Sequence, residues 1–291
     1  ADTVARLRPS YDSGITRPVE WRATQLRQML ALVSENGDAI EQALREDLGK
    51  CRFESFMGET GFLMGELKYA LKHLKSWVKP QKAKAPLPVL PATARVHSEP
   101  LGVVLIIAPW NYPFQLAMGP LIGAIAAGNP AIIKPSEVAP ATSAIIARLV
   151  PKYLDRDAYA VIEGGVTETT TLLAQRFDHI FYTGNGAVGR TVMRAAAEHL
   201  TPVTLELGGK SPCIVDEDVD LDVAARRIVW GKFFNAGQTC VAPDYVLVHE
   251  SIEQRFLQKL TDTVRDFYGD DPKQSRDFGR IINTRHHARL S

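Results

Sequence analysis

The stretch LGVVLIIAPWNYPF, residues 101–114, joins an apolar strand to a polar turn and sets the pattern for the residues that follow. Further strands are predicted at 130–134, 158–162, 179–183 and 202–207, with helices near 115–127, 139–154, 166–176 and 186–199. Continuous apolar strands that alternate with helices are typical of βαβ units and of a parallel sheet buried on both faces. The sequence therefore predicts an α/β fold whose ligands collect at the carboxyl ends of the strands.

The segments on either side of this region have different predicted secondary structure. Amphipathic helical runs are predicted over 20–48, with Gly49 as a stop, and over 53–78. Four prolines between Pro80 and Pro91 favour an extended connector. A second α/β region follows Glu206, with strands near 211–215 and 244–249 and helices near 220–234 and 251–268. The predicted organisation is a helical segment at 1–79, an arm at 80–100, a dinucleotide-binding domain at 101–206 and a partial catalytic domain at 207–291.

Composition excludes several function classes. The chain has 291 residues, of which 34 are Lys or Arg and 33 are Asp or Glu, so its formal net charge of +1 gives no reason to expect nucleic acid or an anionic membrane as partner. The longest apolar stretches are shorter than the roughly 20 residues that span a bilayer. Three cysteines form neither a disulfide framework nor a metal-ligand spacing, so we expect no metal and a cytoplasmic location.

Polar residues follow the first two strands of this region. Asn111 lies between two prolines, and its side-chain amide is a neutral donor suited to a developing oxyanion; the alternative is an Asn that bonds its own turn. Lys134 and Glu137 could donate to and accept from ribose hydroxyls, or form a solvated charge pair at a strand end.

The fourth strand leads into Gly184-Asn-Gly-Ala-Val-Gly189, which matches the G-x-G-x-x-G pattern in a strand–turn–helix context. Backbone amides at such a helix N-terminus can hold a pyrophosphate, although the glycines can equally serve the turn alone. The fingerprint also requires an acid about 20 residues further on, which would make Glu206 a ribose ligand. Against this, the fingerprint belongs to the first strand of a sheet and this is the fourth. An acid partly buried at a strand end also suits a general base, and a pair with Lys210 is the structural alternative.

The segment GQTCVAP, residues 237–243, places Cys240 in a polar loop after a helix. Cysteine is a strong nucleophile near neutral pH and forms good acyl intermediates, so Cys240 is interpreted either as a nucleophile or as a core cysteine. Cys213 and Cys51 are interpreted as buried core residues. The seven histidines are interpreted as structural or surface residues.

Together, PWNYPF, KPSE, FYTGNGAVG, LELGGKSP and GQTCVAPDY resemble, in order and spacing, the motifs of the aldehyde dehydrogenase superfamily, most closely its class 3 branch. The resemblance implies that Cys240 attacks the aldehyde carbon, that Asn111 and the Cys240 backbone N–H hold the oxyanion, and that Glu206 activates the water that hydrolyses the thioester. It also implies that Lys134, Glu137, Gly184, Gly189 and Trp110 bind the cofactor, NAD or NADP. Gly186 departs from the family pattern, which often has Thr there, so the G-x-G-x-x-G match is interpreted as accidental.

The resemblance further implies that a small-molecule aldehyde is oxidised to a carboxylic acid by a homodimeric enzyme. Family motifs expected beyond residue 291 are missing from this sequence, so we expect the chain to lack the C-terminal part. Two other function classes stay open: a non-catalytic structural or interaction protein on the same scaffold, and an acylating or esterase-type thioester enzyme.

Overall fold

The computed structural model describes residues 2–291; Ala1, the first residue of the predicted helical segment, lies outside the described residues. The helices are α1 (Asp2–Asp12), α2 (Val19–Glu35), α3 (Gly37–Leu48), α4 (Arg52–Ser55), α5 (Gly61–Trp77), α6 (Gln115–Ala127), α7 (Pro140–Tyr153), α8 (Val166–Leu173), α9 (Gly186–Ala197), α10 (Leu221–Phe233), α11 (Glu253–Tyr268) and α12 (Thr284–Leu290). The strands are β1 (Gln81–Ala83), β2 (Ala94–Val96), β3 (Val104–Ile107), β4 (Ala131–Lys134), β5 (Tyr159–Val161), β6 (His179–Gly184), β7 (Val203–Leu207), β8 (Ser211–Val215) and β9 (Pro243–Val248).

The central sheet has five parallel strands in the order β5-β4-β3-β6-β7. The chain starts in the middle with β3, runs outward through β4 and β5, and then returns to the other side of β3 with β6 and β7. The order therefore reverses between β3 and β6. In open sheets of this kind, ligands bind at the carboxyl ends of the strands where the order reverses. The predicted α/β fold with a parallel sheet is confirmed.

Helices cover both faces of this sheet. Val104 and Ile106 of β3 pack with α2, α3, α5, α6 and α7 in one apolar cluster, whereas Leu105 and Ile107 pack with α1, α8 and α9 in another. Successive side chains of a strand point to opposite faces, which explains why all four residues of β3 are buried. The N-terminal helices thus share a core with the sheet.

The N-terminal helical runs are divided more finely than their periodicity predicts. The run from 20 to 48 is two helices that meet at Asn36, and Gly49 ends the second in the left-handed conformation with φ of 64°. Between α4 and α5 lies a π-helical turn, Phe56–Thr60. Such turns insert one residue into a helix and shift which side chains point inward.

Residues 81–96 form an exposed arm in which β1 and β2 pair antiparallel, with a 3₁₀ turn, Leu87–Val89, between them. After β7, strands β8 and β9 pair in parallel and pack on α10 and α11 around Val215, Ala225, Ile252 and Phe256. The division of the chain into domains stays a prediction. Among residues 2–291, no helix combines the length and apolar character needed to cross a membrane.

Candidate active site

The turn after β3 and the loop before β9 meet through hydrogen bonds. The Asn111 side-chain amide donates to the carbonyl oxygen of Gln238 at 2.9 Å, and the Tyr112 hydroxyl lies 2.6 Å from Thr239 Oγ1. Both partners immediately precede Cys240. The structure therefore brings Asn111 and the Cys240 loop together, although 127 residues separate Asn111 from Gln238 along the chain.

This loop is bent through a conformation that costs energy. Asn235 and Ala236 have φ values of 55° and 53°, in the left-handed region, and Gly237 follows at 79°. Each non-glycine residue in that region costs on the order of 1–3 kcal/mol and persists only where its surroundings hold it. Asn235 is held by its backbone N–H, which donates to Glu54 at 2.9 Å, and by its side-chain amide, which donates to the Asn111 carbonyl at 2.7 Å.

The three cysteines lie in different surroundings. Cys240 is exposed, so the alternative of a core cysteine is wrong for this position. Cys213 and Cys51 are only half-buried, which corrects the expectation of fully buried core residues. Cys51 instead caps α4, with its sulfur accepting from the Glu54 backbone N–H at 3.5 Å. Burial raises the pKa of the Cys51 thiol, which disfavours the reactive thiolate there.

Glu206 is exposed at the end of β7, which corrects the expectation that it is partly buried. It pairs in register with Thr183, the residue before the glycine turn. Lys210 forms its ion pair with Asp244, so the alternative pair of Glu206 with Lys210 is wrong. Three residues after Glu206, a Cβ added to Gly209 would lie 3.0 Å from the Cys240 carbonyl oxygen. The segment that carries Glu206 therefore reaches the loop of Cys240.

Lys134 ends β4 with its side chain buried, and its ammonium donates to Glu137 at 2.8 Å and to the Gly164 carbonyl at 2.8 Å. The Glu137 side chain is 47% exposed. The pair is therefore solvated only on its Glu137 side. Burial alone would raise the pKa of Glu137, but the hydrogen bond and charge of Lys134 outweigh burial and lower it. The result is an ionised acceptor beside a buried donor at the sheet edge.

The glycines after β6 differ in how much space they have. A Cβ on Gly184 would lie 2.2 Å from the Tyr182 hydroxyl, and one on the buried Gly189 would lie 3.2 Å from Leu207. A Cβ on Gly186 would meet nothing closer than an Arg190 nitrogen at 3.6 Å. The turn thus requires glycine at 184 but not at 186, as expected if the G-x-G-x-x-G match is accidental. Asn185 caps α9 by accepting from the Val188 backbone N–H at 3.0 Å.

Trp110 lies at the same edge of the sheet. Its ring contacts the ring of His286, which belongs to α12; the ring centroids are 4.5 Å apart and the planes are tilted by 47°. Burial, followed by repulsion from Arg289 and Arg285, lowers the pKa of His286. This half-buried histidine contacts a predicted cofactor residue, in agreement with its interpretation as a structural or surface residue.

Sequence reasoning missed the charged residues beneath the turn. Lys50 and Glu59 are fully buried and paired at 2.5 Å, and Glu54 is buried beside Asn235. Burial raises the pKa of Glu54, whose second carboxyl oxygen has no hydrogen-bond partner among the residues that the structure describes. For Glu54 and Glu59 the local signal was charge within an amphipathic run, which is more often a solvated face than a buried one, and Lys50 lies between the two predicted runs.

Comparison with known proteins identifies the family. Residues 12–291 match the aldehyde dehydrogenase family. The chain belongs to this family. It is 52% identical to the dimeric NADP-preferring aldehyde dehydrogenase of Rattus norvegicus over 290 residues, which is 100% of this chain and 64% of the rat protein. It is 53% identical to aldehyde dehydrogenase family 3 member A2 of Mus musculus over 287 residues, 99% of this chain and 59% of the mouse protein.

Among solved structures of the family, the substrate-bound AldH of Staphylococcus aureus superposes with a TM-score of 0.96 at 46% identity, over 99% of this chain and 63% of that one. The aldehyde dehydrogenase resemblance inferred from the five motifs, including its class 3 character, is thereby confirmed. The chain spans about 60% of the length of the curated relatives it matches. The roles of the individual site residues stay predictions.

Proposed function

We propose that this chain carries the cofactor-binding and nucleophile-bearing part of an NAD(P)-dependent aldehyde dehydrogenase that oxidises aldehydes to carboxylic acids. The observation that carries the proposal is the exposed thiol of Cys240 at the end of a strained loop that hydrogen-bonds to Asn111 and Tyr112. Strain of this kind clusters at active sites, where it fixes the position of a reacting group.

Cys240 is the proposed nucleophile and Asn111 the proposed oxyanion donor. A primary amide has two N–H bonds, and the Gln238 carbonyl takes one of them, which fixes the plane of the amide. The second N–H is proposed to donate to the aldehyde oxygen as it gains charge during attack by the thiolate. A positioned donor of this kind acts without reorganisation in the transition state, as oxyanion holes do.

The residues of the sheet edge fit a nicotinamide dinucleotide. Lys134 supplies a donor and Glu137 an ionised acceptor, which suits ribose hydroxyls. Gly184 is proposed to line the turn before α9, whose N-terminal backbone N–H groups suit a diphosphate. The dinucleotide, when bound, supplies the acceptor for the hydride that leaves the aldehyde carbon. Gly189 and Trp110 are proposed to complete this site. The exposed Glu137 carboxylate disfavours a 2′-phosphate, whereas the rat relative is named NADP-preferring, so we keep both cofactors.

Glu206 is the proposed general base for hydrolysis of the Cys240 thioester. It would take a proton from water as the oxygen attacks the acyl carbon, which releases the carboxylic acid and restores the thiol. Two observations support this role: Glu206 lies at the same strand edge, and its segment reaches the Cys240 carbonyl through Gly209. Retention of such a base favours water over another acyl acceptor.

The proposed substrates are medium-chain aliphatic or aromatic aldehydes. Aromatic rings lie beside the loop of Cys240: the Phe234 ring is nearly parallel to that of Tyr112, with centroids 6.5 Å apart, and is tilted by 50° against that of Trp230 at 5.4 Å. Burial, followed by nearby carboxylates, raises the pKa of Tyr112, so its hydroxyl stays neutral and its ring offers an apolar surface. A homodimer is proposed from the dimeric rat relative.

The test is formation of reduced nicotinamide by the protein as its gene encodes it, with NAD or NADP and a panel of aldehydes. We expect turnover with apolar aldehydes and an acid as product. In Cys240→Ala we expect oxidation to fall to background while the protein still binds the dinucleotide. Absence of turnover in the parent with every aldehyde would falsify the proposal, and equal turnover in Cys240→Ala would exclude the covalent mechanism.

A further inference from the structure

A buried ion pair lies directly beneath the turn that carries Asn111. Lys50 follows the end of α3 and Glu59 lies in the π-helical turn, and both side chains are 0% exposed. Their charged atoms are 2.5 Å apart. Neither residue is among the proposed catalytic or cofactor-binding residues, so the roles assigned above do not account for the pair.

Glu59 holds the turn from its far end. One carboxyl oxygen accepts from Lys50, and the other accepts from the backbone N–H groups of Phe114 and Gln115 at 3.1 and 2.7 Å. Every partner is a donor, so only the ionised carboxylate satisfies this arrangement. Because Gln115 begins α6, the carboxylate also lies at the positive end of that helix.

Lys50 holds the turn from its near end. Its ammonium donates to the Asn111 carbonyl at 3.0 Å and lies 4.2 Å from the centre of the Tyr112 ring. The same Asn111 carbonyl accepts from the strained Asn235, and Tyr112 bonds Thr239. Both residues that Lys50 contacts are therefore the ones that reach across to the loop of Cys240.

Stability alone does not account for such a pair. Removing two charges from water costs several kcal/mol, and well-packed neutral replacements of buried pairs are often equally stable. The position of Asn111 does depend on the pair, because a neutral apolar side chain at residue 50 cannot donate to the Asn111 carbonyl. Displacement of a catalytic group by about 1 Å can cost on the order of a hundredfold in rate.

We propose that Lys50, fixed by Glu59, is a positioning residue that sets the Asn111 amide against the Cys240 loop. The proposal rests on the oxyanion role given to Asn111 above. Lys50 touches neither the reacting atoms nor the cofactor residues. Its effect is transmitted through the Asn111 carbonyl and the Tyr112 ring.

The test compares the double variant K50M/E59Q with the parent protein. Methionine and glutamine approximate the replaced volumes and remove both charges, so neither partner is left alone in the core. We expect kcat for aldehyde oxidation to fall by about 10- to 100-fold, with the KM for NAD or NADP unchanged. A purely structural role would instead lower the amount of folded protein and leave kcat per folded molecule unchanged.

The matched control is R226M/D266N, which removes an exposed ion pair between α10 and α11. We expect it to keep the kcat of the parent. Glu59→Asp provides a milder second variant, because it keeps both charges but withdraws the carboxylate by one methylene. It should reduce kcat less than the double variant, and it keeps the question answerable if K50M/E59Q folds poorly.

Hydrogen–deuterium exchange separates this proposal from the dehydrogenase assignment, because it needs no activity. We expect faster exchange at 111–115 and 235–240 in K50M/E59Q and Glu59→Asp, with β4 and β5 as protected as in the parent. If those segments exchange as in the parent, or if kcat is unchanged in a folded variant, Lys50 is not a positioning residue. A parent that oxidises no aldehyde would remove the dehydrogenase proposal, while the exchange result would still decide whether Lys50 holds the turn.

Discussion

The two sides of the candidate site are each held by a lysine–glutamate pair, but the pairs differ in exposure. On the nucleophile side, Lys50 and Glu59 are both 0% exposed, whereas on the cofactor side Lys134 is 3% and Glu137 is 47% exposed. A carboxylate open to solvent can exchange its partner for a ligand. A carboxylate sealed in the core cannot, and it can only fix the groups around it. This difference in exposure is what the proposed roles require: binding for Lys134 and Glu137, and positioning for Lys50 and Glu59.

The largest difference is expected when a single partner is removed. Glu59→Gln leaves the Lys50 charge unpaired in the core and should lower the free energy of unfolding by about 3–5 kcal/mol. Chemical denaturation measures this change. Glu137→Gln leaves Lys134 its bond to the Gly164 carbonyl and puts a neutral amide oxygen, which can still accept, in place of the half-exposed carboxylate. Its loss of stability should therefore be several times smaller. Equal losses of unfolding free energy in Glu59→Gln and Glu137→Gln would contradict the proposed difference between the buried and the half-exposed pair.

A second contrast concerns function on the cofactor side. Lys134→Met should weaken binding of NAD or NADP by about tenfold, the equivalent of one charge-assisted hydrogen bond. The change in kcat at saturating cofactor should be small, the opposite of the pattern expected for K50M/E59Q. Titration calorimetry and steady-state kinetics measure the two quantities. An unchanged dissociation constant would remove Lys134 from the cofactor site.

The glycine turn offers a matched pair of substitutions on the cofactor side. Gly184→Ala places a methyl group against the buried Tyr182 ring and should cost about 1–3 kcal/mol. Gly186→Ala, at the start of α9 with open space around it, should be neutral or stabilising by a few tenths of a kcal/mol. Thermal unfolding of the two variants provides the measurement. A similar cost in both would mean that the pattern acts as a full G-x-G-x-x-G turn.

The smallest expected effect is a pH dependence. The folded-state pKa of Glu137 lies below its ordinary value of 4.5, so its ionised form contributes stability above that pH. This contribution should be lost as the pH falls below 4.5 through the folded-state pKa. The buried Glu54 has a raised pKa and should act in the opposite direction, lowering stability as the pH rises above 4.5. Chemical denaturation of Glu137→Gln and of Glu54→Gln at pH values below and above 4.5 measures the free energy of unfolding against pH. The differences between each variant and the parent should change with pH in opposite directions.

The fold was largely predictable because its signals are local. Strand β8 and helix α6 begin and end at the predicted residues, and Gly128 ends α6 in the left-handed conformation with φ of 85°. The division of the 20–48 run at Asn36 was missed, since the apolar spacing continues across the break. Glu206 was expected to be partly buried because its neighbours in the sequence are apolar, yet burial depends on what packs over a strand end.

By itself, the amino-acid sequence determined the α/β alternation, the order of the motifs and Cys240 as the candidate nucleophile. These features depend only on residues that are close together in the sequence. Only the tertiary structure decided which groups meet. Asn111 reaches Gln238 across 127 positions and Lys50 reaches Asn111 across 61. Contacts over such distances depend on how the sheet orders its strands and on which charges the packed helices seal from water, and no local pattern encodes either.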